Sequence, residues 1–212
     1  MENVTDRRSN PFDMRPPCER FVPGYGDANA HFHVIGDHPG VHGGADSGLP
    51  FTDSRAGERL QRALVAGGLL ERAGRPPTVD RTFLSYLHAC VHEGNDGNGD
   101  PTDDDYARLE PFFDAELRAI TAHVLLPVGE RAVGHVVANY TAREMPADLD
   151  AVHATEMLGA GFLVVPLLDP AEWTDDHEDR VGEALASLRE TDYRREADLG
   201  RFLADGETYY VR

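Results

Sequence analysis

An apolar run and the glycine-rich loop after it, His31-Phe32-His33-Val34-Ile35-Gly36-Asp37-His38-Pro39-Gly40, set the pattern of the whole chain. A short apolar run bounded by Gly and Pro is typical of a buried strand. The same pattern recurs three times, and each strand candidate is followed by a helical pattern. The strand candidates are 31–36, 82–87, 123–129 and 162–167; the helices begin near 54, 106, 130 and 174. This alternation predicts parallel βαβ units in an α/β fold, a three-layer α/β/α sandwich with a central parallel sheet of about four strands.

The distribution of Pro and Gly predicts the domain organisation. Residues 1–29 contain four prolines and are expected to form an irregular N-terminal arm. Residues 30–192 form the predicted domain, and 193–212 a C-terminal tail packed on or beside it. Ligands of open parallel sheets bind beyond the carboxyl ends of the strands. We therefore expect the loops starting at Asp37, at 86–90 and at 167–169 to line one cleft.

The composition is strongly acidic. The 212 residues include 38 acidic and 20 basic side chains, a net charge of −18, and every basic residue is Arg. This balance favours a protein adapted to molar salt, as in a halophilic archaeon, because the Debye length at about 1 M salt is near 3 Å. The alternative is an ordinary acidic protein from a mesophile. At 41% hydrophobic residues the chain can bury a substantial core, which excludes disorder for most of its length.

The localisation expected from the sequence is cytoplasmic. No apolar run approaches the roughly 20 residues that span a bilayer, and residues 1–8 lack the apolar segment of a secretory signal. Cys18 and Cys90 are the only cysteines. In a reducing compartment two thiols are expected to be free rather than bridged.

Several motifs follow one another in a recognisable order. They are Val34 to Gly40, Gly48-Leu49-Pro50-Phe51, Ala56-Gly57, Cys90, the loop with Asn98, Asp100 and Pro101, Leu125 to Gly129, and Val165 to Pro170. Together they resemble the uracil-DNA glycosylase superfamily, most closely its bacterial and archaeal iron–sulfur branch. The resemblance covers about residues 18–190. It implies a DNA-repair glycosylase that hydrolyses the N-glycosidic bond of a damaged or deaminated base without a metal.

The resemblance is incomplete at the cluster cysteines. Cys18 and Cys90 match two of the four expected ligands, whereas the other two fall near Arg15 and Leu109. A [4Fe–4S] cluster generally takes four thiolates. We therefore predict no cofactor and no iron, with the two thiols as buried relics of the site.

Two residues of the first motif are the catalytic candidates. Asp37 lies where the family has Glu, and its carboxylate could stabilise positive charge on the sugar. His38 replaces a residue that is Ala or Gly in the iron–sulfur branch and Asp or Asn in others, where it positions water; an imidazole could orient or deprotonate water. The structural alternative is that His38 packs on the proline turn and Asp37 caps a loop.

Three further residues are the base-binding candidates. Phe51 matches the family's base-stacking Phe, although a core position beneath a turn is an equal alternative. Tyr86 stands where an Asn reads the base, and Asp169 stands where the family has a His. A carboxylate there would repel a uracil anion. Asp169 therefore indicates either a different base or a structural role.

Other functions remain open from the sequence. The chain could be an inactive or nucleic-acid-binding protein that keeps the fold, or a hydrolase of small nucleosides. A divalent metal on Asp37, His38, His42 and Asp46 is a weaker alternative, because imidazole and carboxylate suit zinc or manganese but no zinc spacing is present. The expected partner is DNA, bound with weak electrostatics at high salt, and the expected oligomeric state is a monomer with no membrane association.

Overall fold

The structure is a computed structural model that describes residues 4–92 and 100–199. Its strands are β1 (Tyr25–Gly26), β2 (Phe32–Gly36), β3 (Leu70–Arg72), β4 (Thr78–Val79), β5 (Thr82–Tyr86), β6 (Val124–Pro127), β7 (Met157–Leu158) and β8 (Leu163–Val164). Six of them form one sheet in the order β1-β5-β2-β6-β8-β7, and β3 pairs with β4 as a separate ribbon.

The centre of the main sheet is parallel. Strands β5, β2, β6 and β8 run in one direction, and β1 and β7 pair antiparallel at the two edges. The α/β fold class is confirmed, and the four parallel strands are those expected from the sequence. The two edge strands were not predicted, because each has only two residues and carries no periodic signal.

Helices follow the parallel strands. They are α1 (Pro39–His42), α2 (Arg55–Ala66), α3 (Asp103–Ile120), α4 (Glu130–Tyr140), α5 (Leu149–Val152), α6 (Asp175–Glu190) and α7 (Tyr193–Leu199), with a short 3₁₀ turn at Val4–Asp6. The hydroxyls of Ser54, Thr102 and Thr174 cap the first turns of α2, α3 and α6. These caps satisfy backbone N–H groups that have no partner within the helix.

Alternation along the strands builds two apolar layers. On β2, Val34 faces the layer that contains α2 and α6, while Ile35 faces the layer that contains α3 and α4. Leu84 and Phe83 divide in the same way on β5. Successive side chains of a strand point to opposite faces, so a sheet covered by helices on both faces is buried throughout.

A disulfide joins the segment before β1 to the segment after β5. Cys18 and Cys90 are bonded across 72 residues of sequence, with their Cα atoms 6.1 Å apart. The prediction of free thiols is wrong. Backbone hydrogen bonds from Val22 to Ala89 and from Val91 to Arg20 hold the two segments side by side, which places the two cysteines at bonding distance.

The start of the C-terminal segment packs against the sheet. On α7, Tyr193 and Ala197 are buried, and the Tyr193 hydroxyl lies 2.8 Å from Nδ1 of His31. Residues 200–212 lie outside the described residues, so the extent of the predicted tail stays a prediction. No helix in the described parts of the chain combines the length and apolar character needed to cross a bilayer.

Candidate active site

A cleft of about 1120 Å³ opens at the carboxyl ends of β2, β6 and β8. It is the position that the parallel topology favours for a ligand. Asp37, from the loop after β2, and Asp169, from the loop after β8, both line it. Two of the five site residues predicted from the sequence therefore meet in one cavity.

Asp37 is held by two elements that are distant in the sequence. The hydroxyl of Tyr106 on α3 donates to Oδ1 of Asp37, and the Asp37 backbone N–H donates to Nδ1 of His42 at 3.1 Å. The Asp37–Tyr106 bond spans 69 residues of sequence. A carboxylate fixed in this way at the cleft wall is oriented before any ligand arrives.

His38 has a structural role. Its Nδ1 accepts a hydrogen bond from the Gly40 backbone N–H at 3.1 Å, so the side chain caps α1. Burial lowers the pKa of His38, which favours the neutral ring. With Nδ1 engaged as an acceptor, the proton of the neutral ring lies on Nε2, so neither nitrogen is available to take a proton from water. The ring is 5% exposed and does not line the cleft, so its catalytic role stays a prediction without support here.

Phe51 and Tyr86 lie behind the cleft rather than in its wall. Both are buried, at 0% and 3% exposure, and their ring centroids are 5.1 Å apart. The Tyr86 hydroxyl accepts from the Phe51 backbone N–H at 2.7 Å and donates to the Gly43 carbonyl at 2.9 Å. That hydroxyl is fully used inside the protein, and burial raises the pKa of Tyr86. The expected direct contact of these two side chains with a base is not available in this structure.

His42 covers these two rings on the cleft side. Its ring lies 5.6 Å from Phe51 and 6.3 Å from Tyr86, nearly parallel to the latter at 20°. Gly36 makes this possible, because a Cβ there would lie 2.8 Å from Nδ1 of His42 and 2.7 Å from the Tyr86 ring. His42 lines the cleft although it is only 1% exposed.

The loop that carries Asp169 is fixed from below. The Leu168 N–H donates to Nδ1 of His153, and the Trp173 indole donates to the Leu168 carbonyl. Trp173 itself is buried. Oδ1 of Asp169 accepts from the Ala171 N–H at 2.8 Å, which leaves Oδ2 on the side of His42, 3.8 Å from its Nε2.

Three cleft residues were not identified as site residues from the sequence. Tyr106 and Arg131 stack on one another, with the guanidinium carbon 4.2 Å from the ring centroid, and His42 was considered only as a metal ligand. Tyr106 is one aromatic in a helical pattern, and Arg131 is one charge in the first turn of another helix. Neither position carries a local signal of function, because their place at the cleft arises from the packing of α3 and α4 on the sheet.

The donor set for an iron–sulfur cluster does not fit. Cys18 and Cys90 are bonded to each other, Leu109 is a buried apolar residue and Arg15 points its side chain to solvent. Within residues 4–92 and 100–199, no three His, Cys, Asp or Glu side chains gather in a way that could hold a metal ion. Of the loop predicted near Asn98, only Asp100 and Pro101 are described; Asn98 lies outside the described residues.

Comparison with known proteins extends the sequence resemblance. A family model described as the uracil DNA glycosylase superfamily matches residues 23–189. Proteins named "Type-5 uracil-DNA glycosylase" are similar: that of Thermus thermophilus is 30% identical over 139 residues, which are 65% of this chain and 63% of that protein. Those of Mycobacterium tuberculosis and Pyrobaculum aerophilum are each 28% identical over 58% of this chain, and over 46% and 56% of their own lengths. The chain thus matches between 46% and 63% of the length of these three relatives.

Proposed function

Because the chain belongs to the uracil DNA glycosylase superfamily, we propose that it is a DNA-repair glycosylase that hydrolyses the N-glycosidic bond of a damaged or deaminated base. The observation that carries this proposal is the convergence of Asp37 and Asp169 in one cleft beyond the parallel strands. Relatives named as uracil-DNA glycosylases support the same reaction class. Such enzymes act on a nucleotide that has been turned out of the stack into a pocket.

The reaction places specific demands on the cleft. Water adds to the sugar carbon, the bond between that carbon and the base nitrogen breaks, and its electron pair leaves with the base. Positive charge develops on the sugar, and a fixed carboxylate stabilises it. We assign this role to Asp37, whose Oδ1 is held by Tyr106. Oδ2 of Asp37 remains available to orient the water and to accept a proton from it. That proton is finally transferred to the departing base.

The charge of the cleft supports a second candidate substrate. Six carboxylates line it, and Arg131 is the one Arg or Lys among its lining residues. The carboxylates belong to Asp37, Glu130, Asp148, Asp150, Asp169 and Glu172. A duplex with its phosphates is repelled by such a lining at low salt, whereas a free nucleoside carries no charge. Hydrolysis of small nucleosides is therefore the alternative reaction for the same catalytic group.

The same charge supports a working environment of high salt. At about 1 M salt the Debye length is near 3 Å, so the repulsion between the cleft carboxylates and any phosphate farther away than this is largely screened. We propose that the protein is salt-adapted and acts as a monomer in the cytoplasm, where its DNA substrate is found. The composition, with net charge −18 and Arg as the basic residue throughout, is the support for this part.

Base release decides between the candidates. We expect release of uracil, hypoxanthine or xanthine from single-stranded or duplex oligonucleotides in molar potassium chloride, measured by chromatography of the free base. Faster hydrolysis of free deoxyuridine than of the oligonucleotide would favour the nucleoside reaction. If no base is released from any substrate but the oligonucleotide still binds, the result would favour the alternative of an inactive, nucleic-acid-binding protein that keeps the fold.

Variants of the carboxylate test its role. We expect Asp37→Asn to lower the rate of base release by roughly 10²-fold or more, the usual effect of removing an electrostatic stabiliser. Asp148→Asn is the matched control, because Asp148 lines the same cleft and caps α5, and Asn caps a helix equally well. His38→Asn separates the two catalytic candidates. If His38→Asn lowers the rate of base release as much as Asp37→Asn does, with unchanged thermal stability, the general base is His38.

A further inference from the structure

His42 is a buried side chain with one unused polar atom at the cleft. Its ring stacks on Tyr86 and Phe51, and among the described residues its Nε2 has no hydrogen-bond partner. A buried polar atom without a partner costs free energy unless a ligand or water satisfies it. The Cε1 and Nε2 atoms of this ring lie on the Gly129 side, 3.8 Å from the place that a Cβ of residue 129 would take, and His42 is among the residues that line the cleft.

The hydrogen bonds of the ring fix which nitrogen carries the proton. Nδ1 accepts from the Asp37 backbone N–H, so it cannot be protonated. Burial lowers the pKa of His42 to about 4, which keeps the ring neutral at ordinary pH. The single proton is therefore on Nε2, and His42 presents an N–H donor to the cleft.

Asp169 presents the complementary group beside this donor. Its Oδ1 is occupied by the Ala171 N–H, and its Oδ2 lies 3.8 Å from Nε2 of His42, too far for a direct hydrogen bond. A donor and an acceptor stand side by side at the same wall of the cleft. On the basis of the proposed glycosylase function, we propose that His42 and Asp169 together read the edge of the flipped base, and that they accept a lactam edge, a ring N–H next to a carbonyl oxygen.

The pairing of groups follows from the lactam edge. The carbonyl oxygen accepts from Nε2 of His42, and the neighbouring ring N–H donates to Oδ2 of Asp169. Uracil, hypoxanthine and xanthine all carry such an edge while the base is neutral. As the base leaves with negative charge, the Nε2–H of His42 faces that charge and offsets its repulsion by the Asp169 carboxylate. His42 thus takes the position of specificity residue that Tyr86, with its hydroxyl already bonded to Phe51 and Gly43, does not fill.

The test measures binding without requiring chemistry. The probes are two single-stranded oligonucleotides that carry one 2′-fluoro-substituted deoxyuridine, whose fluorine slows bond cleavage, with or without a methyl group on N3 of the base. Binding is followed by fluorescence anisotropy in molar potassium chloride. We expect the wild type to bind the unmethylated probe about tenfold tighter or more, because the methyl group removes the hydrogen bond to a charged acceptor.

Variants at the two residues then separate their contributions. Asp169→Asn keeps an acceptor for the Ala171 N–H but turns an amide donor toward the base, so we expect the preference for the unmethylated probe to fall to about twofold or less. His42→Phe keeps the aromatic stacking but removes both the Nε2–H donor and the Nδ1 acceptor of the Asp37 backbone N–H, and should weaken binding of the unmethylated probe about tenfold or more. His42→Gln restores an N–H donor and should recover part of that loss. The control is His123→Phe, the same replacement next to β6 at its amino end, away from the cleft.

The outcomes distinguish this inference from the proposed function. Equal binding of both probes by the wild type, or unchanged binding by His42→Phe, would overturn the proposal that His42 and Asp169 bind the base edge. This holds even if the protein releases uracil. Discrimination at N3 in a protein that releases no base would overturn the glycosylase activity and leave the pair in place. Because Asp169 is partly exposed, Asp169→Asn should leave the core undisturbed. This variant therefore tests the proposed base contact even if His42→Phe fails to fold.

Discussion

At the scale of single residues, Tyr86 differs most from its predicted role. The sequence predicts a base-binding residue, whereas in the structure its hydroxyl is hydrogen-bonded inside the protein. Its hydroxyl joins the Phe51 N–H to the Gly43 carbonyl and so holds both ends of the loop between them. We expect Tyr86→Phe to lower the free energy of unfolding by about 1–3 kcal/mol, because it leaves the buried Phe51 N–H without a partner. Urea unfolding measures this. Tyr193→Phe is the comparison, with an expected loss below about 1 kcal/mol, since its partner His31 is only half-buried.

Glu116 gives a second prediction at this scale. Burial raises the pKa of this carboxyl to about 7 from an ordinary 4.5, against a smaller opposing effect of the Ser85 hydroxyl. The folded state therefore binds more protons than the unfolded state between these values, and its stability falls as pH rises from about 4.5 to 7. Glu116→Gln removes this loss. We expect the variant to gain on the order of 3 kcal/mol relative to wild type above pH 7 and nothing near pH 4.

The measurement is chemical unfolding of both proteins across that pH range. Glu110→Gln on the same helix is the control, because Glu110 is exposed and the replacement removes the same charge from the surface of that helix. His33, whose pKa burial lowers to about 3, acts with the opposite sign, so only the difference between variant and wild type isolates Glu116. A constant difference at all pH values would contradict the assignment.

At the scale of elements, the disulfide joins the segment before β1 to the segment after β5. Closing a loop of this length restricts the unfolded chain, and its removal is expected to cost about 4 kcal/mol in the loop-entropy description. We predict that the double variant Cys18→Ser, Cys90→Ser melts at a lower temperature than the oxidised wild type. Dithiothreitol should lower the melting temperature of the wild type to that of the variant and leave the variant unchanged.

A thiol titration of the denatured, unreduced protein gives an independent check. Two reactive thiols per chain would show that the bond is absent. Four irons per chain after anaerobic purification would contradict both the disulfide and the predicted loss of the cluster.

At the scale of the whole molecule, the acidic balance determines the conditions in which the fold is stable. With a net charge of −18, self-repulsion weakens the folded state at low ionic strength, and molar salt screens it. We expect the melting temperature to rise by more than about 5 °C between dilute buffer and molar potassium chloride. Potassium chloride is compared with an uncharged osmolyte of equal osmolality; a rise that both produce would count against screening of charge.

The sequence by itself determined the α/β class, the four parallel strands and the loops that meet at their carboxyl ends. These features arise from local periodicity and from one topological rule, and both can be read along the chain. The same rule predicts that Asp37 and Asp169 lie in the cleft, since each directly follows an apolar run of the sequence, and both line it.

Only the tertiary structure decided which loop residues face the cleft. Phe51 lies in a predicted motif and Tyr86 ends a predicted strand, yet the ring of His42 covers both because Gly36 leaves room for it. Tyr106 reaches Asp37 across 69 residues, and Cys18 reaches Cys90 across 72. These contacts depend on how separate elements pack together, and the free energy of such packing is shared among residues that no local pattern of sequence connects.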